Sequence, residues 1–339
     1  MASRLSQPHS LLADQADGIL TQETTDLLSS LPKQKGWLYS DHIYQYQNFW
    51  YADIHIQAVV NMQRNFKALD TDIIVATNPK CGTTWLKALS FAIVNRFRFS
   101  TTGTTLKQHH PLLTSNPHSL VPSLDFHFST GHSPDLTCLS DNNNRLLATH
   151  FSLESLLECI KDSKCKLVYI CRDPKDTVIS FWHFATKLRP EHLEFSSLEE
   201  FYQKFCSGIV EHGPFWDHVL GYWKMSMQYP ERVFFLKYEE LKKEPKLHLI
   251  KLAQFLDHPF SIDEESDGVP EQILELCSFD LLSNLDVNKN GKTPVHKFEH
   301  NIFFRRGEVG DHVNYLTPTM IEHLDKITEE MFLHYGLKL

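Results

Sequence analysis

The 339-residue sequence lacks the segments that would place it in or across a membrane. No apolar run approaches the ~20 residues that span a bilayer. The N-terminal segment has no apolar core of a secretory signal, and Asp14 and Asp17 argue against an organelle transit peptide. The seven cysteines include no C-x-x-C pair, which is typical of a reducing compartment. These absences predict a cytoplasmic protein without a membrane partner.

An excess of positive charge is also missing. The 33 basic residues are outnumbered by 42 acidic residues, which gives a formal net charge of -9. A general nucleic-acid binder would carry a basic surface, so we predict no nucleic-acid partner. The 20 histidines include neither an H-E-x-x-H motif nor a Cys/His cluster with zinc spacing, so we also predict no metal site.

The chain is long for one domain and short for two. Its length alone therefore does not determine the number of domains, and the sequence pattern has to decide. Residues 1–30 are polar and lack clear periodicity, which predicts a mobile N-terminal arm. No internal repeat is visible in the remainder. We therefore predict that residues 31–339 form a single domain.

Short apolar runs alternate with helical patterns along this domain. The predicted strands are Ile73–Thr77, Arg145–His150, Leu167–Cys171 and Val233–Leu236. A helix is predicted over Thr83–Phe97, because apolar residues recur there on one face. The alternation predicts an α/β fold, a central parallel sheet flanked by helices with right-handed crossovers.

Three unusual side chains follow three of these strands. Lys80 comes after the first strand, His150 ends the second, and Arg172 follows the third. In open parallel sheets ligands bind outside the carboxyl ends of the strands. We therefore expect these three side chains to converge on one site.

The loop after the first strand has the composition of an anion site. In the segment DIIVATNPKCGTTWLKALSF, Gly82 allows close approach of an anion, and Thr83 and Thr84 add hydroxyl donors at a helix N-terminus. A nucleoside-triphosphatase loop places lysine directly after glycine. Here Lys80 stands two residues before Gly82, so the loop keeps the anion cradle without the triphosphate and Mg²⁺ machinery. Trp85 is compatible with stacking on a nucleobase or with core packing.

Four ordered motifs, TNPKCGTTW, THF, CRDPKDTVISFWHF and FFRRGEVGD, resemble those of the cytosolic sulfotransferases. The segments NPHSLVP, GPFWDHVLGYW and FFLKYEEL are similar to the plant soluble type. The resemblance runs from about Leu31 to the C-terminal helix. It implies transfer of a sulfuryl group from 3′-phosphoadenosine 5′-phosphosulfate (PAPS) to a hydroxyl or amine, which leaves 3′-phosphoadenosine 5′-phosphate (PAP).

The resemblance also implies which residues contact the donor. The loop from Lys80 to Trp85 would hold the 5′-phosphosulfate and Trp85 would pack on adenine, while Arg172 and Ser180 would bind the 3′-phosphate. A guanidinium fork suits a phosphate dianion, although without the motif Arg172 would be interpreted as a surface ion pair. A basic loop near the C-terminus would close over the 3′-phosphate. The implied donor-contacting residues are Lys80, Cys81, Gly82, Thr83, Thr84, Trp85, Arg172, Ser180, Cys277, Arg305, Arg306 and Gly307.

His150 and Lys80 are the implied catalytic residues. A histidine with an ordinary pKa near 6.5 suits removal of a proton from a hydroxyl at neutral pH. Lys80 would stabilise the charge that develops on the bridging oxygen of the leaving group. Because a sulfuryl group carries less charge than a phosphoryl group, no Mg²⁺ clamp is demanded.

The implied acceptor is a small, apolar, hydroxylated molecule, either a flavonoid or other phenolic or a hydroxyjasmonate. The segments expected to line its pocket are Tyr44–Tyr51, Pro111–Phe128 and Trp182–Phe184, which are rich in aromatic and aliphatic residues. Lys187 or Arg189 could supply a cation for an anionic acceptor. The animal family's dimer motif is not intact near the C-terminus, which leaves a monomer or a weak homodimer.

Two departures and two alternatives accompany this interpretation. His212 and His312 stand where the family often has aromatic residues, so the packing around adenine is expected to differ.

A nucleotide kinase or nucleoside triphosphatase would require Mg²⁺ and a lysine after the glycine. A non-catalytic nucleotide-binding protein would tolerate loss of His150 or Lys80, and both are present.

Overall fold

The computed structural model describes residues 20–36, 38, 40–99, 110–130, 140–141, 144–189, 197–293 and 298–339. The strands in these parts are β1 (Lys33–Lys35), β2 (His42–Tyr46), β3 (Phe49–Ala52), β4 (Ile73–Thr77), β5 (Ser140–Asp141), β6 (Asn144–Thr149), β7 (Lys166–Cys171) and β8 (Val233–Lys237). The α-helices are α1 (Gln22–Ser30), α2 (Asp53–Asn65), α3 (Thr83–Phe99), α4 (Pro117–Leu120), α5 (Leu124–His127), α6 (Leu153–Ile160), α7 (Pro174–Leu188), α8 (Leu198–Cys206), α9 (Phe215–Gln228), α10 (Tyr238–Lys243), α11 (Pro245–Phe255), α12 (Ile262–Ser266), α13 (Val269–Leu276), α14 (Phe279–Asn284), α15 (Asp286–Asn290) and α16 (Pro318–Phe332). Short 3₁₀ helices occupy Pro111–Leu113, His300–Phe303, Asp311–Asn314 and Leu333–Tyr335.

The central sheet has the strand order β5-β6-β4-β7-β8. Strands β6, β4, β7 and β8 are parallel, and the short β5 is antiparallel to β6. The predicted parallel sheet flanked by helices is therefore confirmed. Its strands were recognisable because they are buried on both faces and so form continuous apolar runs.

Successive side chains of β4 enter two separate hydrophobic cores. Ile74 and Ala76 pack with residues of α2, α6, α7 and α9, whereas Ile73 and Val75 pack with residues of α3, α11 and α13. The alternation follows from the two-residue repeat of a strand. The result is a three-layer arrangement with helices on both faces of the sheet.

The N-terminal region adds a small antiparallel sheet that the sequence pattern did not predict. Strands β1, β2 and β3 form a meander, and Gln47 and Asn48 form the two-residue turn between β2 and β3 with φ of 51° and 67°. Both positive values are those of a type I′ hairpin turn. The buried Tyr51 in β3 anchors this sheet, because its hydroxyl lies 3.2 Å from the Oγ atoms of Ser152 and Ser155.

The predicted mobile arm is only partly within the described residues. Residues 1–19 lie outside them. The following segment forms α1, in which Leu28 is buried, and the Thr21 backbone N–H donates to Oε1 of Gln57 on α2 at 2.7 Å. The arm prediction thus stays a prediction for residues 1–19, whereas Gln22–Ser30 are helical and docked. Within the parts of the chain that the structure covers, no helix combines the length and apolarity needed to cross a bilayer.

Candidate active site

A cavity of about 960 Å³ opens at the carboxyl edge of the parallel sheet. Each parallel strand contributes a lining residue from just beyond its end: Lys80 after β4, His150 after β6, Arg172 after β7 and Tyr238 after β8. The expected convergence of three side chains is therefore present, with a fourth added. The predicted residues that line the cavity are Lys80, Gly82, Thr83, Thr84, Trp85, His150, Arg172, Ser180, Cys277, Arg305, Arg306 and Gly307.

The loop between β4 and α3 has a constrained backbone. Lys80 and Gly82 both have positive φ, at 69° and 108°. A Cβ atom on Gly82 would lie 2.8 Å from Cδ2 of Tyr238, so glycine is required by both conformation and contact. The helix begins at Thr83, which places its unpaired N-terminal amides at the loop.

The side chain of Cys81 differs from those of its neighbours in the same loop. It is fully buried and is not among the lining residues of the cavity. Its sulfur lies 3.7 Å from Oγ1 of Thr177 on α7. The backbone turn at Lys80 directs this thiol into the core, so any contribution of Cys81 to a ligand would come from its backbone.

Lys80 is held in an electropositive environment. Its Nζ lies 4.0 Å from the ring centroid of Phe184. Burial lowers the pKa of Lys80 to about 7, and the positive charges of Arg172 and Arg305 act in the same direction. A bound anion would reverse both effects, because it would solvate the ammonium group and offset the neighbouring charges.

The ring of His150 is fixed in one tautomer by its surroundings. Its Nδ1 lies 2.8 Å from the backbone oxygen of Thr77, and a carbonyl can only accept, so Nδ1 carries the proton and Nε2 has the free lone pair. The backbone N–H of His150 donates to both carboxylate oxygens of Asp125, at 3.0 and 3.1 Å. Burial lowers the pKa of His150, while Asp125 opposes this change. The neutral form of the ring, with Nε2 unprotonated, is thus favoured.

Arg172 connects the strand end to the C-terminal loop. Its Nη2 donates to the backbone oxygen of Glu308 at 2.6 Å and lies 3.3 Å from Oδ2 of Asp176. Its guanidinium lies 4.7 Å from the ring centroid of Tyr238. Nε of Arg172 is buried and has no hydrogen-bond partner among the described residues. Ser180, two turns along α7, lines the same cavity.

The loop that contains Arg305, Arg306 and Gly307 is anchored to the rest of the site. Arg305 Nη1 lies 2.5 Å and Arg306 Nη1 lies 3.1 Å from the carboxylate of Asp311. Gly307 has φ of 66°, and a Cβ atom there would lie 2.6 Å from Cδ2 of Phe279. The two arginines therefore share one acidic partner in this structure.

His312 fastens this loop to α7. Its backbone N–H and its Nδ1 lie 3.0 and 2.9 Å from Oδ1 of Asp176. The backbone N–H of Gly310 donates to the other carboxylate oxygen at 2.7 Å. His312 therefore anchors the C-terminal loop to α7 through hydrogen bonds to Asp176. Asp176 also contacts Arg172, so it links the loop to that side chain.

The adenine side expected from the motifs is lined by Trp85 and Cys277. The Trp85 ring meets the Tyr238 ring edge-on, with centroids 5.8 Å apart. Cys277 is fully buried, and burial raises the pKa of its thiol above the usual range. His212 does not lie here. Its ring centroid is 5.6 Å from that of His150 and 4.9 Å from that of His55, so it belongs to the opposite half of the cavity.

That opposite half differs in part from the predicted acceptor pocket. The Pro111–Phe128 segment and Phe184 contribute to the lining, but the Tyr44–Tyr51 segment and Trp182 are not among the lining residues. Neither Lys187 nor Arg189 is among them. Lining residues outside the predicted acceptor segments and the implied donor contacts include Leu38, His55, Lys87, Glu211 and Tyr238. They come from separate elements of the chain, so only the fold brings them to one cavity.

Known proteins with the same architecture identify the class of this site. The sequence matches a family model described as Sulfotransferase domain over residues 70–336. It is 45% identical over 334 residues to Cytosolic sulfotransferase 12 of Arabidopsis thaliana, which covers 98% of this chain and 99% of that protein. A solved structure of an Arabidopsis thaliana putative steroid sulphotransferase has a TM-score of 0.74 and 40% identity, with 96% and 98% of the two chains covered. Mouse sulfotransferase SULT7A1 complexed with PAP has a TM-score of 0.65 and 25% identity, with 87% and 95% covered.

The chain belongs to the sulfotransferase family. Within it, the similarity to the Arabidopsis proteins confirms the plant type that the motifs resemble. It is a PAPS-dependent enzyme that transfers a sulfuryl group to a small hydroxylated acceptor. Among the residues described, no group of three or more His, Cys, Asp and Glu side chains is placed to hold a metal ion.

Proposed function

We propose that this enzyme sulfates a hydroxyl of an uncharged phenolic acceptor such as a flavonoid, with His150 as general base and Lys80 stabilising the leaving group. The observation that carries the proposal is the meeting of Lys80, His150 and Arg172 in one cavity at the carboxyl edge of the sheet. Each is positioned by the end of a different parallel strand, so the arrangement follows from the fold and not from a mobile loop.

The donor half of the cavity fits an adenine nucleotide with phosphate groups at both ends of its ribose. The Gly82 turn leaves room where any side chain would meet Tyr238, and α3 presents its N-terminal amides there. Arg172 supplies a buried Nε without a partner among the described residues, which suits a phosphate oxygen. We assign Lys80, Gly82, Thr83, Thr84 and Trp85 to the 5′-phosphosulfate and adenine, and Cys81 to a backbone contact at most.

In this proposal Arg172 and Ser180 bind the 3′-phosphate. The loop of Arg305, Arg306 and Gly307 covers it, and Cys277 lies beside adenine. Arg305 and Arg306 now share Asp311. A phosphate dianion would add a second acceptor for their remaining N–H groups, since each guanidinium offers five donors. Asp311 then holds the arginines in place through Nη1 of each, which leaves other N–H groups for the phosphate.

His150 removes the proton from the acceptor hydroxyl through Nε2. Its Nδ1–H stays bonded to the Thr77 carbonyl, which stabilises the imidazolium that forms. Lys80 places its ammonium where negative charge develops on the departing bridging oxygen, and the attack on sulfur then needs no metal ion. The sulfur–oxygen bond to the donor breaks as the bond to the acceptor oxygen forms.

The charge of the acceptor half supports an uncharged phenolic over a hydroxyjasmonate. Aromatic and aliphatic side chains of Leu38, Phe126, Phe181 and Phe184 line it. Its ionisable lining residues include Asp125 and Glu211, whereas Lys87 is bonded to His118 and the Val121 carbonyl and Lys80 is assigned to the leaving group. A carboxylate on the acceptor would face these acidic groups, which is unfavourable at close range.

We further propose that residues 31–339 act as one catalytic domain in the cytoplasm, as a monomer or a weak homodimer. Shared hydrophobic cores on the two faces of the sheet support a single folding unit.

The test is transfer of labelled sulfate from PAPS to a panel of flavonols, simple phenolics, hydroxyjasmonates and steroids, with a chelator present. We expect label in the flavonols or simple phenolics. Label confined to hydroxyjasmonates would contradict the acceptor assignment, and a requirement for added Mg²⁺ would contradict the metal-free step. If PAPS binds but no acceptor is labelled, the assignment of a phenolic acceptor fails.

A further inference from the structure

A buried lysine, a histidine and a threonine form a continuous hydrogen-bonded chain beside the donor loop. Thr84 and Lys87 are three residues apart on α3 and therefore share a face. His118 on α4 lies against both: Nε2 is 2.9 Å from Oγ1 of Thr84, and Nδ1 is 3.3 Å from Nζ of Lys87. Lys87 is only 2% exposed, and its Nζ also donates to the backbone oxygen of Val121 at 2.9 Å.

The chemistry of these groups fixes the direction of each hydrogen bond. An ammonium group has three donors and no lone pair, so Lys87 donates to His118 Nδ1. The neutral imidazole then carries its proton on Nε2 and donates it to the Thr84 oxygen. The hydroxyl of Thr84 consequently keeps its own hydrogen for another acceptor. Thr84 lines the cavity, so this hydrogen is available to a ligand there.

We propose that Lys87 and His118 are positioning residues that orient the hydroxyl of Thr84 as a hydrogen-bond donor to the phosphosulfate group of PAPS. The inference rests on the proposed function, because it assigns the phosphosulfate to the loop that contains Thr84. Neither residue touches the reacting atoms. They act through Thr84, whose hydroxyl would otherwise be free to rotate and to present its lone pairs to an anion.

The ring of His118 is held so that its two nitrogens keep their partners. It stacks on Phe303, with centroids 4.1 Å apart and an interplanar angle of 29°. Its backbone N–H donates to Oδ1 of Asn116 at 2.8 Å, and Asn116 is bonded in turn to the buried Asn288. Phe303 lies two residues before Arg305, so the ring of His118 connects the chain that leads into the basic loop to Thr84 of the donor loop.

A purely structural role for Lys87 and His118 makes a different prediction. If they only stabilise the loop, their replacement should weaken donor binding by the same factor whether or not residue 84 has a hydroxyl. If they act through the Thr84 hydroxyl, their effect should vanish once that hydroxyl is removed. Non-additivity of this kind is what a double-mutant cycle measures.

The experiment is calorimetric titration with PAPS, without acceptor, of His118→Phe, Lys87→Met, Thr84→Val and the two double variants with Thr84→Val. Burial lowers the pKa of Lys87 to about 7, with Asp125 acting in the opposite direction, so the titration is made at about pH 6 to keep the amine protonated. We expect each single variant to weaken binding about tenfold to a hundredfold, as for loss of a hydrogen bond to a charged group. Each double variant should bind no more weakly than Thr84→Val alone.

Two controls separate the possible failures. Thr84→Ser retains a hydroxyl and should restore sensitivity to His118→Phe, whereas Lys289→Met removes an exposed lysine of α15 and should leave binding unchanged. Effects of His118→Phe and Lys87→Met that persist at full size beside Thr84→Val would overturn the inference. If the unaltered protein did not bind PAPS at all, the proposed function itself would fail.

Discussion

The protonation state of single side chains decides whether this cavity can catalyse transfer. As the general base that we propose, His150 must be neutral to accept a proton, and its fixed Nδ1–H leaves Nε2 with the free lone pair. In the role that we propose, Lys80 must be charged to stabilise the leaving group, yet burial lowers its pKa to about 7 in the protein without donor. The two requirements define a range of pH in which transfer is possible. Binding of the donor extends this range to higher pH, because the anion raises the pKa of Lys80.

We therefore predict a bell-shaped dependence of kcat/KM for PAPS on pH. The acid limb reports protonation of free His150 and lies below about 6.5, because burial lowers the pKa of this group. The alkaline limb lies near 7, where Lys80 loses its proton. In the dependence of kcat this limb moves to higher pH, because the bound anion favours the ammonium form.

Replacement of Lys80 by arginine checks the assignment of the alkaline limb. Arginine stays protonated throughout this range, so the limb of kcat/KM should move to higher pH. Lys87 also titrates in this range, because burial lowers its pKa to about 7, so a residual limb is expected. An alkaline limb in Lys80→Arg that is as steep as that of the unaltered protein and lies at the same pH would contradict the assignment to Lys80.

Arg172 provides a second prediction at the residue scale. Arg172→Gln should weaken PAP binding by about tenfold or more, since it removes a charge-assisted contact to the 3′-phosphate. Binding of adenosine 5′-phosphate, which lacks the 3′-phosphate, should change little. Calorimetry with the two ligands distinguishes this result from a general loss of structure, which would weaken both equally.

At the scale of elements, the turn between β4 and α3 shapes the part of the cavity that we assign to the donor. Gly82→Ala should destabilise the fold by about 1–3 kcal/mol, because alanine is strained at φ of 108° and its Cβ would meet Tyr238 at 2.8 Å. Thermal or denaturant unfolding measures this difference in the free energy of unfolding. Gly310→Ala is the matched control: its φ is 86°, but no atom lies within 4 Å of the added Cβ. Equal losses of unfolding free energy in the two variants would show that the contact with Tyr238 does not contribute.

The elements that the sequence predicted are those whose pattern is local. Strands β4, β6, β7 and β8 are apolar runs that end in polar loops, and all four lie within a residue or two of their predicted bounds. The meander of β1, β2 and β3 was missed because its strands are short and its Gln47–Asn48 turn contains no glycine. The prediction that Tyr44–Tyr51 lines the acceptor pocket was wrong for the same reason. The meander directs Tyr51 into the core, where its hydroxyl reaches Ser152.

The site was predictable to the extent that strand ends determine it. Lys80, His150 and Arg172 could be grouped from the rule for parallel sheets. His118 and Asp125 could not, because they come from the segment between α3 and β6, which has no period. Only tertiary packing brings Asp125 to the backbone of His150 and His118 to Thr84.

At the scale of the whole molecule, segments far apart in sequence close around one cavity. The C-terminal loop reaches α7 through Asp176, which accepts hydrogen bonds from Gly310 and His312 and lies 3.3 Å from Arg172. The proposed donor half and acceptor half would thus meet at the strand ends, where Lys80 and His150 line the cavity. This division implies that donor binding and proton removal are separable functions.

The most direct measurement of that claim is single-turnover sulfate transfer by His150→Asn, made together with its affinity for PAP. We predict that transfer to a phenolic acceptor falls by about 10²–10⁴-fold, the usual contribution of a general base. PAP affinity should stay close to that of the unaltered protein, as it should in the surface variant His334→Asn. Retained transfer in His150→Asn, or a loss of PAP binding as large as the loss of transfer, would contradict the account.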